Sequence, residues 1–197
     1  MLLVGLGEKE SLCKKVLGQC TETAVRCVNE AGSMEAAVYF KDAASHLSCY
    51  ESVRVMQEAA SDALYSFTGF TSKEANGRRP LKKLTFCVPR RRDLKDAETA
   101  VLHTAALSKG KTSARQLGNL PANVLTPASF AHQAKELAQL HPALHFTTLG
   151  EEEMGKLGMD AWLAVSRGSP KESQLIRLDY RQAEDPTSPP IVLIGKG

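Results

Sequence analysis

At 197 residues and 43% hydrophobic, the chain can bury the core of one ordinary domain or of parts of two, so it is expected to be globular. Its 25 Lys+Arg exceed its 22 Asp+Glu only slightly, a bias too mild to imply a nucleic-acid or membrane partner by itself. Five cysteines (Cys13, Cys20, Cys27, Cys49, Cys87) with no C-x-x-C pair argue against a disulfide framework or a zinc knuckle, fit a cytoplasmic, reducing setting, and accompany no membrane-length apolar run.

MLLVGLG, Met1 to Gly7, predicts a buried strand closed by a glycine turn, and it is too short for a signal-peptide core. Leu12, Val16, Cys20, Ala24, Cys27 and Val28 then recur at three- and four-residue steps, which predicts a helix. Cys13, Cys20 and Cys27 are expected to pack near its apolar stripe. Ala36 to Phe40 reads as a second strand, His46 to Tyr65 as a second helix, and Lys83 to Val88 as a third strand closed by Pro89. This alternation is that of an α/β layer with parallel neighbours.

Apolar residues from Asp93 to Leu117 predict a long helix, capped by the aspartate and weakened by Gly110, with a length suited to joining two domains. A second unit begins at GNLPANVLTPASFAHQAKELAQL, where Thr126-Pro127 marks a helix start. HFTTLG, a short helix around Met154, WLAVSRG, QLIRLDY and PIVLIGKG follow and read as strands with short connections; AEDPTSPP, Ala183 to Pro190, reads as a surface turn.

Gly5-Leu6-Gly7 lacks the third glycine of a dinucleotide fingerprint, because position 10 is Glu10. Gly195-Lys196 fails as a P-loop, since Pro190 stands where the upstream glycine belongs and no hydroxyl residue follows the lysine. His141 and His145 have metal-ligand spacing, but Pro142 between them keeps them off one regular helix face. Seven cations fall within fifteen residues: Arg78, Arg79, Lys82, Lys83, Arg90, Arg91 and Arg92. They form either a phosphate-contacting patch or a solvated rim balanced by Asp93, Asp96 and Glu98. Lys196, at the tip of an apolar run between two glycines, is open to several roles: phosphate contact, base, or metal ligand if its amine is held neutral.

GNLPANVLTPASFA, LGMDAWLAVSRGS, QLIRLDY and PPIVLIGKG, in this order, resemble the leucyl (cytosol) aminopeptidase family, and GSMEAAVYF and RRPLKKLTFCVPRRRDL resemble the N-terminal domain of its bacterial members. The resemblance implies the C-terminal part of a macro-like α/β domain over 1–92, a linking helix over 93–117, and the first part of an α/β metallo-aminopeptidase domain over 118–197. It implies two-metal hydrolysis, with Mn²⁺ or Zn²⁺, that releases N-terminal residues such as leucine from peptides, in a homo-hexamer. Of the family's metal ligands only one lysine has a counterpart here, Lys196, and no catalytic residue carries over. The remaining ligands of the family lie downstream of that lysine, so the chain is expected to be an internal fragment that is inactive alone and binds no metal. The alternative is a non-catalytic DNA-binding accessory protein using segment 78–92.

Overall fold

The computed structural model describes residues 1–40, 47–67, 70, 81–182 and 187–196. The turn expected at Ala183 to Pro190 falls partly outside them. The chain divides into two compact units, Met1–Asn119 and Leu120–Gly197.

The first unit holds α1 (Lys14–Glu30), β1 (Glu35–Tyr39), α2 (Cys49–Leu64), β2 (Lys83–Cys87) and α3 (Leu94–Asn119). β1 and β2 pair in parallel, from Glu35 opposite Lys83 to Tyr39 opposite Cys87. Period-two alternation turns Ala36, Val38, Leu84 and Phe86 toward the helices, where they join the apolar clusters. One cluster gathers Leu12, Leu17, Val53, Met56, Ala97 and Ala100; the other gathers Val25, Ala60 and Leu81. Asn29 at the end of α1 anchors the approach to β2, its Oδ1 accepting from the Leu81 amide at 2.9 Å.

α2 begins at Cys49, three residues beyond the expected His46, because Ser48 supplies the cap. Ser48 caps α2: its Oγ accepts from the Glu51 amide at 3.1 Å, and the Ser48 amide donates to Glu51 Oε2 at 3.0 Å. A hydrogen bond from Lys14, then those from Ser48, hold the Glu51 carboxyl at about 2, against a usual 4.5. Because the folded value is depressed, the associated stability is complete above pH 4.5 and disappears as pH falls toward 2. Glu51→Gln is therefore expected to narrow the gap in thermal midpoint between pH 7 and pH 3. An unchanged gap would assign the acid sensitivity to other carboxylates.

Three expectations for the first unit give way. Met1 to Leu6 form no strand, and Met1, Leu2, Leu3 and Val4 are exposed; Gly7 takes the left-handed conformation, at φ +76°. A strand needs a ladder partner, and none of the described residues pairs with this segment. Cys13 and Cys27 are exposed and Cys20 half-buried, because the buried row of α1 is Leu17, Thr21 and Val25. At about 100° per residue, that row lies roughly a quarter-turn from the cysteines. Asp93 does not cap α3; it sits in the 3-10 turn Arg91–Asp93, where its carboxylate accepts from Arg90 Nε at 2.9 Å.

In the second unit α4 (Pro127–Leu140) packs its buried Ala131 and Ala134 toward an antiparallel pair, β3 (Leu144–Leu149) and β4 (Leu175–Tyr180). Leu144 stands opposite Tyr180 and Leu149 opposite Leu175. Thr126 caps α4 through the Ser129 amide at 3.2 Å, with Pro127 in the first turn. Two short helices follow β3, α5 (Glu151–Lys156) and α6 (Asp160–Ser166), with Met154 fully buried on the first. α6 replaces the strand expected at WLAVSRG. A four-residue apolar run does not distinguish strand from helix, and Asp160 in the first turn with two alanines favours the helix.

Candidate functional site

Lys196 is exposed and follows an apolar run without regular structure. Ile191, Leu193 and Ile194 are 93%, 92% and 87% exposed, so both faces of the expected PIVLIGKG strand meet water. Among the described residues no other strand pairs with it, which is why its β-branched sequence does not produce a strand here. Nothing lies within 4 Å of a Cβ added at Gly195, so no close neighbour requires glycine there.

A pair of divalent cations needs several carboxylates to offset its charge. Among the described residues no three His, Cys, Asp or Glu side chains gather as a metal-binding group. The donors described here therefore do not fit a two-metal centre, and a single lysine amine does not supply one.

The basic segment is split by the strand it flanks. Arg78 and Arg79 lie outside the described residues. Lys82 and Lys83 are exposed at the start of β2, and Arg90, Arg91 and Arg92 are exposed beyond its end. At about 3.3 Å per residue, the five-residue strand separates the two groups by roughly 16 Å. Lys83 Nζ lies 3.9 Å from Glu35, and Arg90 Nε and Arg92 Nε lie 2.9 and 3.9 Å from the Asp93 carboxylate. These are rim pairs in water, each of small energetic consequence.

The cysteines and histidines carry no catalytic pairing among the described residues. Burial, then the charges of Asp93 and Asp96, pushes the Cys49 thiol up, away from the thiolate a nucleophile needs. His103 Nδ1 lies 3.0 Å from Tyr50 Oη, and His132 lies 3.4 Å from Glu136 on the surface of α4. His141 ends α4 while His145 lies on β3, so the pair with ligand-like spacing is divided between two elements.

The most connected polar group was not anticipated from the sequence. Lys111 Nζ donates to Glu58 Oε1 at 2.9 Å and to Asp62 Oδ2 at 2.7 Å, and Arg115 Nη1 donates to Asp62 Oδ1 at 2.8 Å. Burial raises Asp62, but the hydrogen bonds from Lys111 and Arg115 outweigh it and hold the carboxyl below its ordinary range. Lys111 is raised, first by Asp62, against burial and with help from Glu58. A signal existed: Glu58 and Asp62 are one turn apart on one helix, and Lys111 and Arg115 one turn apart on another. This group joins α2 to α3 and has the character of a structural clamp.

Residues 1–74 match the N-terminal domain of the cytosol aminopeptidase family, and residues 112–197 match its catalytic domain. A probable cytosol aminopeptidase 2 of Shewanella oneidensis and a cytosol aminopeptidase of Vibrio cholerae are each 41% identical over 198 aligned residues, covering 100% of this chain. The chain spans 39% of the length of these curated relatives. Among solved structures, the bottromycin maturation enzyme BotP in complex with Mn superposes with a TM-score of 0.74 at 26% identity, over 89% of this chain and 35% of that one. A mutant of tomato leucine aminopeptidase, with a TM-score of 0.69 and 21% identity over 89% of this chain and 34% of its own, shares the fold. Both domains of one family match in order along the chain, and the α/β architecture agrees with theirs: the chain belongs to the cytosol aminopeptidase family.

Proposed function

We propose that these residues serve a metallo-aminopeptidase that releases N-terminal residues, leucine preferentially, from peptides in the cytoplasm. In this reading 1–92 belong to the N-terminal domain, 93–117 form the linking helix, and 118–197 belong to the catalytic domain. The observation that carries the reading is the ordered match to both family domains. The enzyme works with two divalent cations, Mn²⁺ or Zn²⁺, and assembles as a homo-hexamer. Lys196 is the residue of this chain that ligates one cation in the whole enzyme, through the lone pair of its amine. The DNA-binding alternative draws no support from the described cations, which divide between the two ends of β2 and include rim pairs with Glu35 and Asp93.

Because the described donors assemble no carboxylate cluster, the 197-residue chain alone is expected to hydrolyse no leucine anilide, with or without added Mn²⁺. The measurement is chromophore release from the purified chain beside its Lys196→Ala variant. Metal-dependent turnover that the variant lacks would overturn the expectation and place a working centre within these residues.

A further inference from the structure

α3 meets α2 along two chemically different halves. In the first, Ala97, Ala100 and Thr104 are buried, and the two alanines share a cluster with Val53 and Met56 of α2. Gln57 Nε2 also donates to the Val101 carbonyl at 3.2 Å, and Tyr50 Oη meets His103 at 3.0 Å. In the second half, from Ala105 to Asn119, no residue is buried and none belongs to either apolar cluster. α2 has turned its apolar residues elsewhere by then: Ala60, Ala63 and Leu64 pack with Val25, Val28 and the sheet residues Ala36 and Leu84.

What crosses the second half is polar. Lys111 and Arg115 bind Glu58 and Asp62, the Arg115 guanidinium lies 5.3 Å from the centre of the Tyr65 ring, and Asn119 Nδ2 donates to Tyr65 Oη at 2.9 Å. Beside this clamp the helices leave an open groove of about 440 Å³, lined by Ser61, Ala105, Ser108, Lys109, Thr112 and Ser113. Ser108 Oγ is buried there without a hydrogen-bond partner. The clamping side chains are 33–39% exposed, so water and salt compete for them, whereas Ala97, Ala100 and Thr104 of the first half are shut off from water. Gly110, with open space around its Cβ position, weakens the helix at the middle of this stretch.

We propose that α3 is a two-part helix whose second half, Ala105 to Asn119, is a salt-sensitive latch on α2. It releases as a unit while Leu94 to Thr104 stay docked. The polar clamp sets how often it opens, and the element it releases is the stretch of helix leading to the boundary at Asn119. This holds whatever reaction the family enzyme performs, because it depends only on contacts within the first unit.

Hydrogen exchange read by mass spectrometry on the 197-residue chain tests it. Amides of 105–119 are expected to exchange at least about tenfold faster than those of 94–104. Raising salt, or Asp62→Asn, accelerates the second half further and leaves the first unchanged. Gly110→Ala slows the second half alone. If Asp62→Asn does not fold, the salt series on the unaltered chain decides, together with whether trypsin cuts after Lys109 and Lys111 before it cuts after Lys95. Equal protection along α3, fast exchange confined to the last turn from Gln116, or rates indifferent to salt would each overturn the latch.

Discussion

Lys196→Ala, made in a full-length family enzyme carrying this segment in place of its own, is expected to lower leucine-anilide turnover by at least about 100-fold and to reduce bound metal in parallel. Loss of both together is the signature of a ligand, since a residue that only positions substrate changes turnover without changing metal content. Lys196→Arg is expected to fail as a rescue, because guanidinium keeps its proton and has no lone pair to offer a cation. Lys171→Ala, at another exposed lysine of the second unit, is the control and leaves both readouts unchanged. Full metal content and normal turnover in the arginine variant would show that the tip of this segment serves something other than metal ligation.

Met56→Ala is expected to destabilise the first unit by about 2–5 kcal/mol. Met56 is 1% exposed and sits where α1, α2 and α3 converge, packed with Leu17, Val53, Ala97 and Ala100. Its thioether stem fills a space between helices that approach closely through alanines, and truncation leaves a cavity that their backbones do not close. Against an ordinary domain stability of about 5–15 kcal/mol, the loss lowers the melting midpoint by roughly 10 °C or more. Met34→Ala, 37% exposed, is the matched control and shifts the midpoint little. Thermal unfolding by circular dichroism measures both, and a Met56→Ala shift no larger than that of Met34→Ala would mean the three-helix junction is not the core.

Legibility differed by element for reasons that particular residues show. The start of α4 was readable because a cap is local: Thr126 and Pro127 stand together, and the cap completes its bonds with Ser129 within four residues. At α2 the cap formed by Ser48 with Glu51 sets the start at Cys49, three residues beyond the expected His46. The strands β1 to β4 were readable because each finds a partner that turns its alternation into one covered face. MLLVGLG and PIVLIGKG carry equally good strand sequences and form none, since β-propensity takes effect only across a ladder. WLAVSRG became helix because its apolar run was too short for periodicity to decide.

By itself the sequence determined the α/β class, the start of α4 and the motifs by which the chain joins its family, because each depends on residues near one another along the chain. Tertiary structure alone decided which face of α1 is buried and that Glu58 and Asp62 meet Lys111 and Arg115 across about fifty residues. Those outcomes depend on the angle and spacing at which α1, α2 and α3 settle around Val53 and Met56, and a helix's own period does not specify which neighbour it will meet.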